Sequence, residues 1–130
     1  MVTDFRQLRN FQKKLEVAEQ EIEKIMIETV KDVAEEFLKE VIRRTPKSDT
    51  DLLKRSWKCD MNVKKEGSTY SVEIINDSEL ASYIEYGHKT ANGGWVEGHF
   101  MMTITEDEVK RKLPAIAQKR IDEYLKGVFK

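Results

Sequence analysis

The longest regular pattern in the sequence is a stripe of apolar residues over positions 4–44, a stretch without glycine or proline. Its members recur mostly every three or four positions, which is the pattern of one face of an amphipathic helix. They are Leu8, Phe11, Leu15, Ala18, Ile22, Ile25, Val30, Val33, Phe37 and Val41. At about 1.5 Å per residue such a helix spans about 60 Å, more than the width of a compact domain of this size. We therefore expect the helix either to break or to project.

The two halves of this stripe differ in width. Leu8, Leu15 and Ile22 form one heptad series, and Phe11 begins a second. A narrow seam of this kind is typical of packing on a partner helix. From Met26 onward the apolar stripe is wider and predicts packing in the core. We predict that residues 1–25 form a projecting helix used in subunit contacts; a helix that folds back on its own domain is the alternative.

A short helix and a hairpin are predicted next. Pro46 ends the long helix, because the residue before a proline resists the α conformation. The capping-box signal of Ser48 and Asp51 predicts a short helix over 50–56. Alternating apolar and polar residues over 57–63 and 70–75, with a turn at 66–68, predict two antiparallel strands.

The last part of the chain is predicted to be helix, loop, strand and helix. A short helix over 79–86 would turn Leu80, Tyr83 and Ile84 inward. Residues 87–98 show no periodicity and predict a loop, followed by an extended piece over 100–104. A final helix follows these elements.

Thr105 and Glu108 form a second capping-box signal, which predicts that the last helix begins there and ends at about Lys126. Pro114 should kink this helix or mark its true start. The fold class is therefore α+β, with a long N-terminal helix and a C-terminal helix packed on a small antiparallel sheet. We expect one domain over residues 1–130, whose open sheet edges are available to neighbours.

Composition excludes several classes of function. The net charge is −1, and residues 1–47 carry ten basic and ten acidic side chains, so no segment resembles a nucleic-acid-binding face. Cys59 is the single cysteine, so no internal disulfide can form, and its position predicts a small apolar residue on a strand. The sequence begins without the apolar core of a signal peptide and contains no apolar run of the roughly 20 residues that a membrane helix needs.

Both histidines of the chain lie in residues 85–100, close to Glu85 and Glu97. Zinc motifs place histidines at short helical spacings or pair them with cysteine. Here His88 and His99 are eleven residues apart across a glycine-rich segment. Acid–base catalysis by the two glutamates requires a pocket that tunes their acidity, and the sequence predicts none. We therefore predict no catalytic residue, no metal site and no cofactor.

Recognition remains as a role for this segment. Trp95 lies in its polar, glycine-rich middle, and aromatic residues in such settings anchor interfaces. The alternative is that Trp95 folds back onto its own sheet. If Trp95 is such an anchor, residues 87–99 form a segment that binds another protein.

Three short stretches resemble one family of proteins. Residues 45–57 read TPKSDTDLLKRSW, residues 81–88 read ASYIEYGH, and residues 94–102 read GWVEGHFMM. Together, in this order, they are similar to the signatures of small neck or tail-completion proteins of long-tailed bacteriophages, the kind that includes the tail-completion protein Z of phage lambda. The resemblance covers residues 45 to about 125. Asp51 stands where that family usually has glycine, and Glu97 and His99 replace its common proline and arginine.

The resemblance implies a structural protein of the virion neck, assembled in the host cytoplasm. Its subunits would form a homo-oligomeric ring, expected to be a hexamer, that completes the tail and joins it to the head connector. The other partners implied are the tail tube or tail terminator protein and genomic DNA, which passes through the channel without sequence recognition; no membrane is involved. The residues expected to contact partners or other subunits are Leu8, Phe11, Leu15, Ile22, Gly87, His88, Gly94, Trp95, Gly98 and Phe100.

Three alternatives stay open on the sequence. The first is a neighbouring ring of the phage particle, either a tail terminator or a head-completion protein. The second is a small non-viral adaptor that binds a cellular protein through the seam of residues 8–25. The third is an enzyme that uses His88 or His99.

Overall fold

The computed structural model describes residues 6–47 and 51–129. In chain order its elements are α1 (Arg6–Arg44), α2 (Leu52–Arg55), β1 (Trp57–Cys59), β2 (Lys64–Glu66), β3 (Thr69–Ser71), β4 (Ile74–Asn76), α3 (Ala81–Tyr86), β5 (Gly87–Lys89), β6 (Trp95–Glu97) and α4 (Met101–Val128). Two long helices and short antiparallel strands confirm the predicted α+β class.

The two long helices, α1 and α4, lie antiparallel along each other. Residues near the start of α1 contact residues at the end of α4, and the C-terminal turn of α1 contacts the second turn of α4. The helix predicted over 4–44 is confirmed over the described residues Arg6–Arg44, and α1 is continuous over these 39 residues. Its great length is accommodated by pairing with α4, which is itself 28 residues long.

The core lies against the C-terminal half of α1, as the wider stripe predicts. Val33 and Ala34 are buried there. A cluster of buried side chains joins this half of α1 to the following elements, and its members are Phe37, Val41, Leu53, Trp57 and Met101. The helices and the β1–β4 strand pair therefore share one apolar centre.

The N-terminal half of α1 is only partly covered. Ala18 is buried, whereas Leu8, Phe11 and Leu15 are 65%, 49% and 47% exposed. The ring of Phe11 lies 6.0 Å, centroid to centroid, from that of Phe129, just beyond the end of α4. Thus α4 accompanies α1 as far as Phe11, and the turn of α1 before it extends past this contact.

Two matching polar clamps hold the helix pair. At one end, Arg44 of α1 donates to Thr105 Oγ1 at 2.8 Å and to Glu108 Oε1 at 2.6 Å on α4. At the other end, Arg120 of α4 donates to Thr29 Oγ1 at 3.1 Å and lies 2.9 Å from Asp32 Oδ2 on α1. Each arginine therefore crosses to a threonine and to an acid three residues later, on one face of the opposing helix.

The two threonines are buried at the helix contact, with 1% and 0% exposure for Thr29 and Thr105. Each hydroxyl donates to a carbonyl four residues earlier in its own helix, Ile25 and Met101 respectively. In each case an N–H group of the arginine on the opposing helix donates to a lone pair of the same hydroxyl oxygen. Both buried hydroxyls are therefore satisfied, which removes the penalty for burying a polar group.

The strands form separate short pairs instead of one sheet. Among the described residues there are three two-stranded antiparallel pairs, β1–β4, β2–β3 and β5–β6. The strand predicted over 57–63 is interrupted after Cys59, where Met61 takes a left-handed conformation with φ 55°. The predicted turn at 66–68 is confirmed, because Gly67 at φ 61° lies between β2 and β3.

The two predicted capping boxes are wrong wherever they can be checked. Asp51 precedes α2 with φ 51° and its side chain makes no cap, while Ser48 lies outside the described residues. Thr105 is inside α4, which begins at Met101, so the extended piece predicted over 100–104 is wrong as well. Pro114 does not mark the start of this helix, which runs through it.

The segment between α1 and β1 is closed by a side-chain bond. Trp57 Nε1 donates to Thr45 Oγ1 at 2.8 Å, and the same hydroxyl donates to Val41 O at 2.6 Å. Both residues are buried. The first and the last residue of the 45–57 stretch are therefore joined in the core, which fixes where β1 begins relative to the end of α1.

The first prediction concerns the clamp of Arg44. Arg44→Met keeps an unbranched apolar stem, shorter than that of arginine, and leaves a lone pair of the buried Thr105 hydroxyl without its donor. We expect a loss of about 1–3 kcal/mol in the free energy of unfolding, measured by urea denaturation. The matched control is Arg43→Met, because Arg43 pairs with Glu40 on the exposed surface and should change stability by less than about 1 kcal/mol. Equal effects of the two substitutions would contradict a special role for Arg44.

The second prediction concerns pH. The hydrogen bond from Arg44 lowers the pKa of Glu108 below its ordinary value of 4.5. A carboxyl group with a lowered folded-state pKa stabilises the fold fully above its unfolded-state pKa, and the stabilisation is lost as the pH falls through the folded-state value. Glu108→Gln should therefore lower the urea midpoint at neutral pH, and this deficit should shrink as the pH falls through the folded-state pKa of Glu108. A deficit that persists unchanged in acid would show that another contact of Glu108 is responsible.

Candidate functional site

The carboxylate of Glu85 lies at the N-terminus of α4. Its Oε1 accepts the Met102 amide at 2.8 Å, and its Oε2 accepts the Thr103 amide at 3.1 Å and the Thr103 hydroxyl at 2.7 Å. The side chain is 6% exposed. The first amides of a helix lack partners within the helix and carry partial positive charge, so a carboxylate there is stabilising. Glu85 therefore caps α4 from a helix that ends fifteen residues before α4 begins.

The backbone on either side of this cap crosses at very short range. The amides of His99 and Phe100 donate to the carbonyls of Ile84 and Glu85, at 2.8 and 3.1 Å. A Cβ atom on Gly98 would lie 2.4 Å from the Glu85 carbonyl oxygen, and one on Gly87 would lie 2.5 Å from that of Val96. Gly87 also has φ 88°, a conformation that other residues rarely adopt. Only glycine fits at either position.

Residues 87–98, predicted to be a loop, form a hairpin, so that prediction is wrong. β5 pairs with β6 in the register Gly87 with Glu97, His88 with Val96 and Lys89 with Trp95. The turn is closed by bonds between Thr90 and Gly94, whose carbonyl accepts the Thr90 amide at 2.9 Å and whose amide donates to Thr90 Oγ1 at 3.0 Å. Gly94 therefore shapes the tip of the hairpin.

Exposed aromatic side chains gather where the hairpin crosses α3. The exposed fractions of Tyr86, Trp95 and Phe100 are 65%, 54% and 41%. The rings of Tyr86 and Phe100 are 6.5 Å apart, centroid to centroid, at an interplanar angle of 79°. Ile104, one turn into α4, is 45% exposed. We call these four residues the aromatic patch.

Trp95 folds back onto its own hairpin but is only about half covered there. Its indole lies across Gly87, where a Cβ atom would be 2.8 Å from the ring carbon Cζ2. More than half of the side chain still faces solvent. The contact with Gly87 fixes the ring in one place, and the exposed face remains available for a partner. A side chain held in this way loses little further freedom on binding.

Glu85, Glu97 and His88 have different surroundings in this segment. Glu85 is committed to α4, and Glu97 is exposed on β6. The His88 ring lies 5.7 Å from that of Tyr83, with Nδ1 buried and without a hydrogen-bond partner in the described structure. No group of three or more histidine, cysteine, aspartate or glutamate side chains in residues 6–47 and 51–129 could hold a metal ion.

The predicted contact residues fall into two separate regions. Leu8, Phe11, Leu15 and Ile22 lie on α1, where Leu15 and Ile22 line a groove of about 630 Å³ together with Leu125 and Phe129. The other six belong to the hairpin and the residues that follow it. Gly87 and Gly98 are inside the crossing, while Trp95 and Phe100 are on its surface.

Sequence reasoning missed part of this surface. The prediction that Leu80 and Tyr83 point inward is wrong, since each is 54% exposed. Tyr86 and Ile104 were not singled out either. One indication of these two residues was present in the sequence, their positions beside predicted contact residues: Tyr86 adjoins Gly87, and Ile104 lies one helical turn after Phe100.

No helix in the described part of the chain is long and apolar enough to span a bilayer.

The crossing gives a third prediction. Gly98→Ala places a methyl group against backbone atoms of Glu85 and Tyr86, which cannot move without breaking the cap. We expect a loss of at least about 2 kcal/mol in the free energy of unfolding. Gly93→Ala is the control from the same hairpin, because a Cβ there meets nothing within 4 Å and only its φ of 79° is strained. Thermal denaturation followed by circular dichroism would rank them, and a tolerated Gly98→Ala would disprove the close crossing.

A fourth prediction separates the structural role of Glu85 from a chemical one. Glu85→Ala should destabilise the fold by about 1–3 kcal/mol, because three donors at a buried helix N-terminus lose their acceptor. Glu97→Ala removes an exposed carboxylate from the same segment and should change stability by less than about 0.5 kcal/mol. Chemical denaturation measures both, and similar values for the two variants would argue against the cap.

One family model matches the chain. It is described as "Bacteriophage HK97-gp10, putative tail-component", and the match covers residues 9–87. The matched part takes in α1 from its fourth residue, the 45–57 stretch and the chain up to the first residue of β5, which is more than half of the sequence. No curated protein and no solved structure matches the chain.

The match identifies a phage tail family, while similarity to the lambda tail-completion protein in particular stays a prediction. Members of such a family are structural components of the virion. The long helix and the Thr45–Trp57 closure lie within the matched residues, so the family assignment rests on the part of the fold that holds the core. The chain belongs to the HK97-gp10-like family of bacteriophage tail components.

Proposed function

We propose that the protein is a subunit of a homo-oligomeric ring in the phage neck, which completes the tail and joins it to the head connector. Membership of a tail-component family supports a structural role in the particle. The observation that carries the proposal is the aromatic patch, a group of exposed apolar side chains on a rigid base. Such a group is costly to leave in water and is typical of a surface that becomes covered on assembly.

The base of the patch explains why it is suited to assembly. The Glu85 cap and the close crossing of Gly87 and Gly98 hold the hairpin in a fixed position relative to α4. A pre-formed surface loses less entropy when a partner binds than one that must first be ordered. In this proposal Trp95 and Phe100 make the apolar contacts, and Gly87, Gly94 and Gly98 shape the backbone that presents them.

The exposed seam at the start of α1 is the second surface of the proposal. Leu8, Phe11 and Leu15 are about half exposed or more, although α4 covers other residues of the same stripe. This is the region in which we propose contacts to a second protein of the neck, either the head connector or the tail tube or terminator protein. A ring in this position, proposed to be a hexamer, would surround the genomic DNA without reading its sequence.

The fifth prediction tests the patch in the particle. Trp95→Ala should leave the fold intact, because over half of the indole is exposed, and should weaken assembly by about 2 kcal/mol or more, about 30-fold in dissociation constant. Ile75→Ala is the control, since Ile75 is 42% exposed on β4 and away from the hairpin. The measurement is incorporation of each variant into particles of a phage that lacks the wild-type gene. Equal incorporation of both variants would remove Trp95 from the interface.

Electron microscopy of the particles made without the protein tests the position in the neck. Unjoined heads and tails of normal length would support a joining and tail-completing ring. Overlong tails would instead identify a tail terminator, and heads that lose their DNA would identify a head-completion protein. Complete, infectious particles would overturn a role in the neck and favour the adaptor, whose binding surface would be the seam of residues 8–25.

A further inference from the structure

The charged side chains at the start of α1 are sorted by sign. Residues 6–14 contain four basic side chains and no acidic one, and these are Arg6, Arg9, Lys13 and Lys14. Residues 15–23 contain four acidic side chains and no basic one, and these are Glu16, Glu19, Glu21 and Glu23. We call residues 6–14 the basic segment and residues 15–23 the acidic segment.

This order of charge does not stabilise α1 by itself. Arg9 and Lys13 are four positions apart, as are Glu19 and Glu23, and like charges at this spacing destabilise a helix. Arg9 also lies in the first turn of α1, where the helix dipole disfavours a cation. Within the described structure, the charged side chains at positions 9, 13, 14, 16 and 19 form no ion pair. These charges therefore lack an explanation within one molecule.

The apolar positions of the same stretch are arranged symmetrically. Leu8, Leu15 and Ile22 are seven positions apart and so lie along one line on α1. Leu8 and Leu15 are 65% and 47% exposed. Leu15 and Ile22 also line the groove of about 630 Å³, with Glu19 beside them. Leu15 is both the middle of the apolar series and the boundary between the two charged segments.

A helix reversed about Leu15 therefore matches α1 in both respects. The apolar series falls on itself, and the basic segment falls on the acidic segment. A partner surface of a single charge sign would match only one of the two segments. A second copy of the chain matches both.

We propose that the seam of residues 8–25 is covered, in the free protein, by the same seam of a second copy that runs antiparallel to it. Leu15 of one copy meets Leu15 of the other, and Leu8 of each meets Ile22 of the other. The basic segment of each copy lies along the acidic segment of the other. Because the same surface is used on both copies, this contact closes at two copies and does not build a ring.

The pairing adds a step before assembly. It rests on the proposed function, in which the seam contacts a second protein of the neck. The pair covers this surface, so the neck protein must replace the second copy. The pair is thus the form of the free protein, and it separates when the subunit enters the particle.

Cysteine cross-linking tests the antiparallel contact. Two proteins are made in a Cys59→Ser background, one with Gln12→Cys and one with Glu19→Cys. Oxidation of their mixture should give a disulfide-linked dimer, while each protein alone should give little. The matched control is the pair Lys13→Cys and Gln20→Cys, in which both positions are exposed and rotated about 100° away around the helix. Equal cross-linking with the control, or equal cross-linking of each cysteine with itself, would overturn the contact.

Charge reversal provides the second arm, with mass in solution measured by light scattering after size exclusion. Glu16→Lys with Glu19→Lys should raise the dissociation constant of the dimer about 10-fold or more, because like charges then face each other. Mixing this variant with Arg9→Glu/Lys13→Glu should restore a one-to-one pair. The control is Glu73→Lys with Glu79→Lys, which makes the same change in net charge at exposed positions outside the seam.

Two results of this arm would overturn the pairing. One is a dimer that the reversal leaves unchanged. The other is a wild-type protein that stays monomeric at every concentration; if it also binds duplex DNA through Arg9 and Lys13, the basic segment belongs to DNA. Either result leaves the proposed ring standing, because the ring is tested in the particle.

The cross-linked dimer tests the step before assembly. Oxidised Gln12–Glu19 dimer should fail to complete tails in an extract of cells infected with a phage that lacks the gene, and reduction should restore completion. Tail completion by the oxidised dimer would show that the seam need not be uncovered. Failure of the reduced protein, when the wild type succeeds, would assign the defect to the substitutions and overturn the replacement of one partner by another.

Discussion

The antiparallel pairing of α1 with α4 is the constraint on which the rest of the structure depends. An exposed helix of 39 residues has little stability by itself, and most helical stability in proteins comes from tertiary packing. Here that packing combines a buried apolar centre with two clamps in which an arginine crosses to a buried threonine. The clamps fix the register of the pair, because a shift by one residue would remove the donors of both hydroxyls at once.

This register determines where the aromatic patch lies. Arg44 joins the end of α1 to the second turn of α4, and Glu85 caps the first turn of α4 from α3. The hairpin is attached at the same point through Gly87 and Gly98. The fixed end of the helix pair thus sets the position of the aromatic patch relative to α4.

The same geometry explains how the segment that carries the two histidines is held in place. Three donors from one helix N-terminus surround the Glu85 carboxylate, and a carboxylate satisfied in this way is held in place. The glycines at the crossing permit close backbone approach instead of opening a cavity for a ligand. The polar residues of the segment therefore serve to position Trp95 and Phe100 at the surface.

Local sequence signals correctly predicted the elements that neighbouring residues define. They failed for elements whose boundaries depend on a residue far away in the chain. Pro46 and the apolar stripe predicted α1 and its end, and Gly67 predicted the first turn. The start of α4 was misplaced at Thr105, because the capping-box rule assumes that a helix is capped by its own first residues. Here the cap is Glu85, and Phe100 enters the helix through a left-handed conformation at φ 48°.

The sequence by itself determined the fold class, the two long helices and the core half of α1, because periodicity, proline and glycine act over a few residues. The phage-tail family was indicated by the resemblance of three short motifs. Only the tertiary structure decided that residues 87–98 form a hairpin, that Thr29 and Thr105 are bridged by arginines, and that Trp95 is half covered. Each of these depends on contacts between residues far apart in the chain: Arg44 is 61 positions from Thr105, and Arg120 is 91 from Thr29. Contacts of that separation leave no periodic trace in the sequence, since they are created by the packing of whole helices.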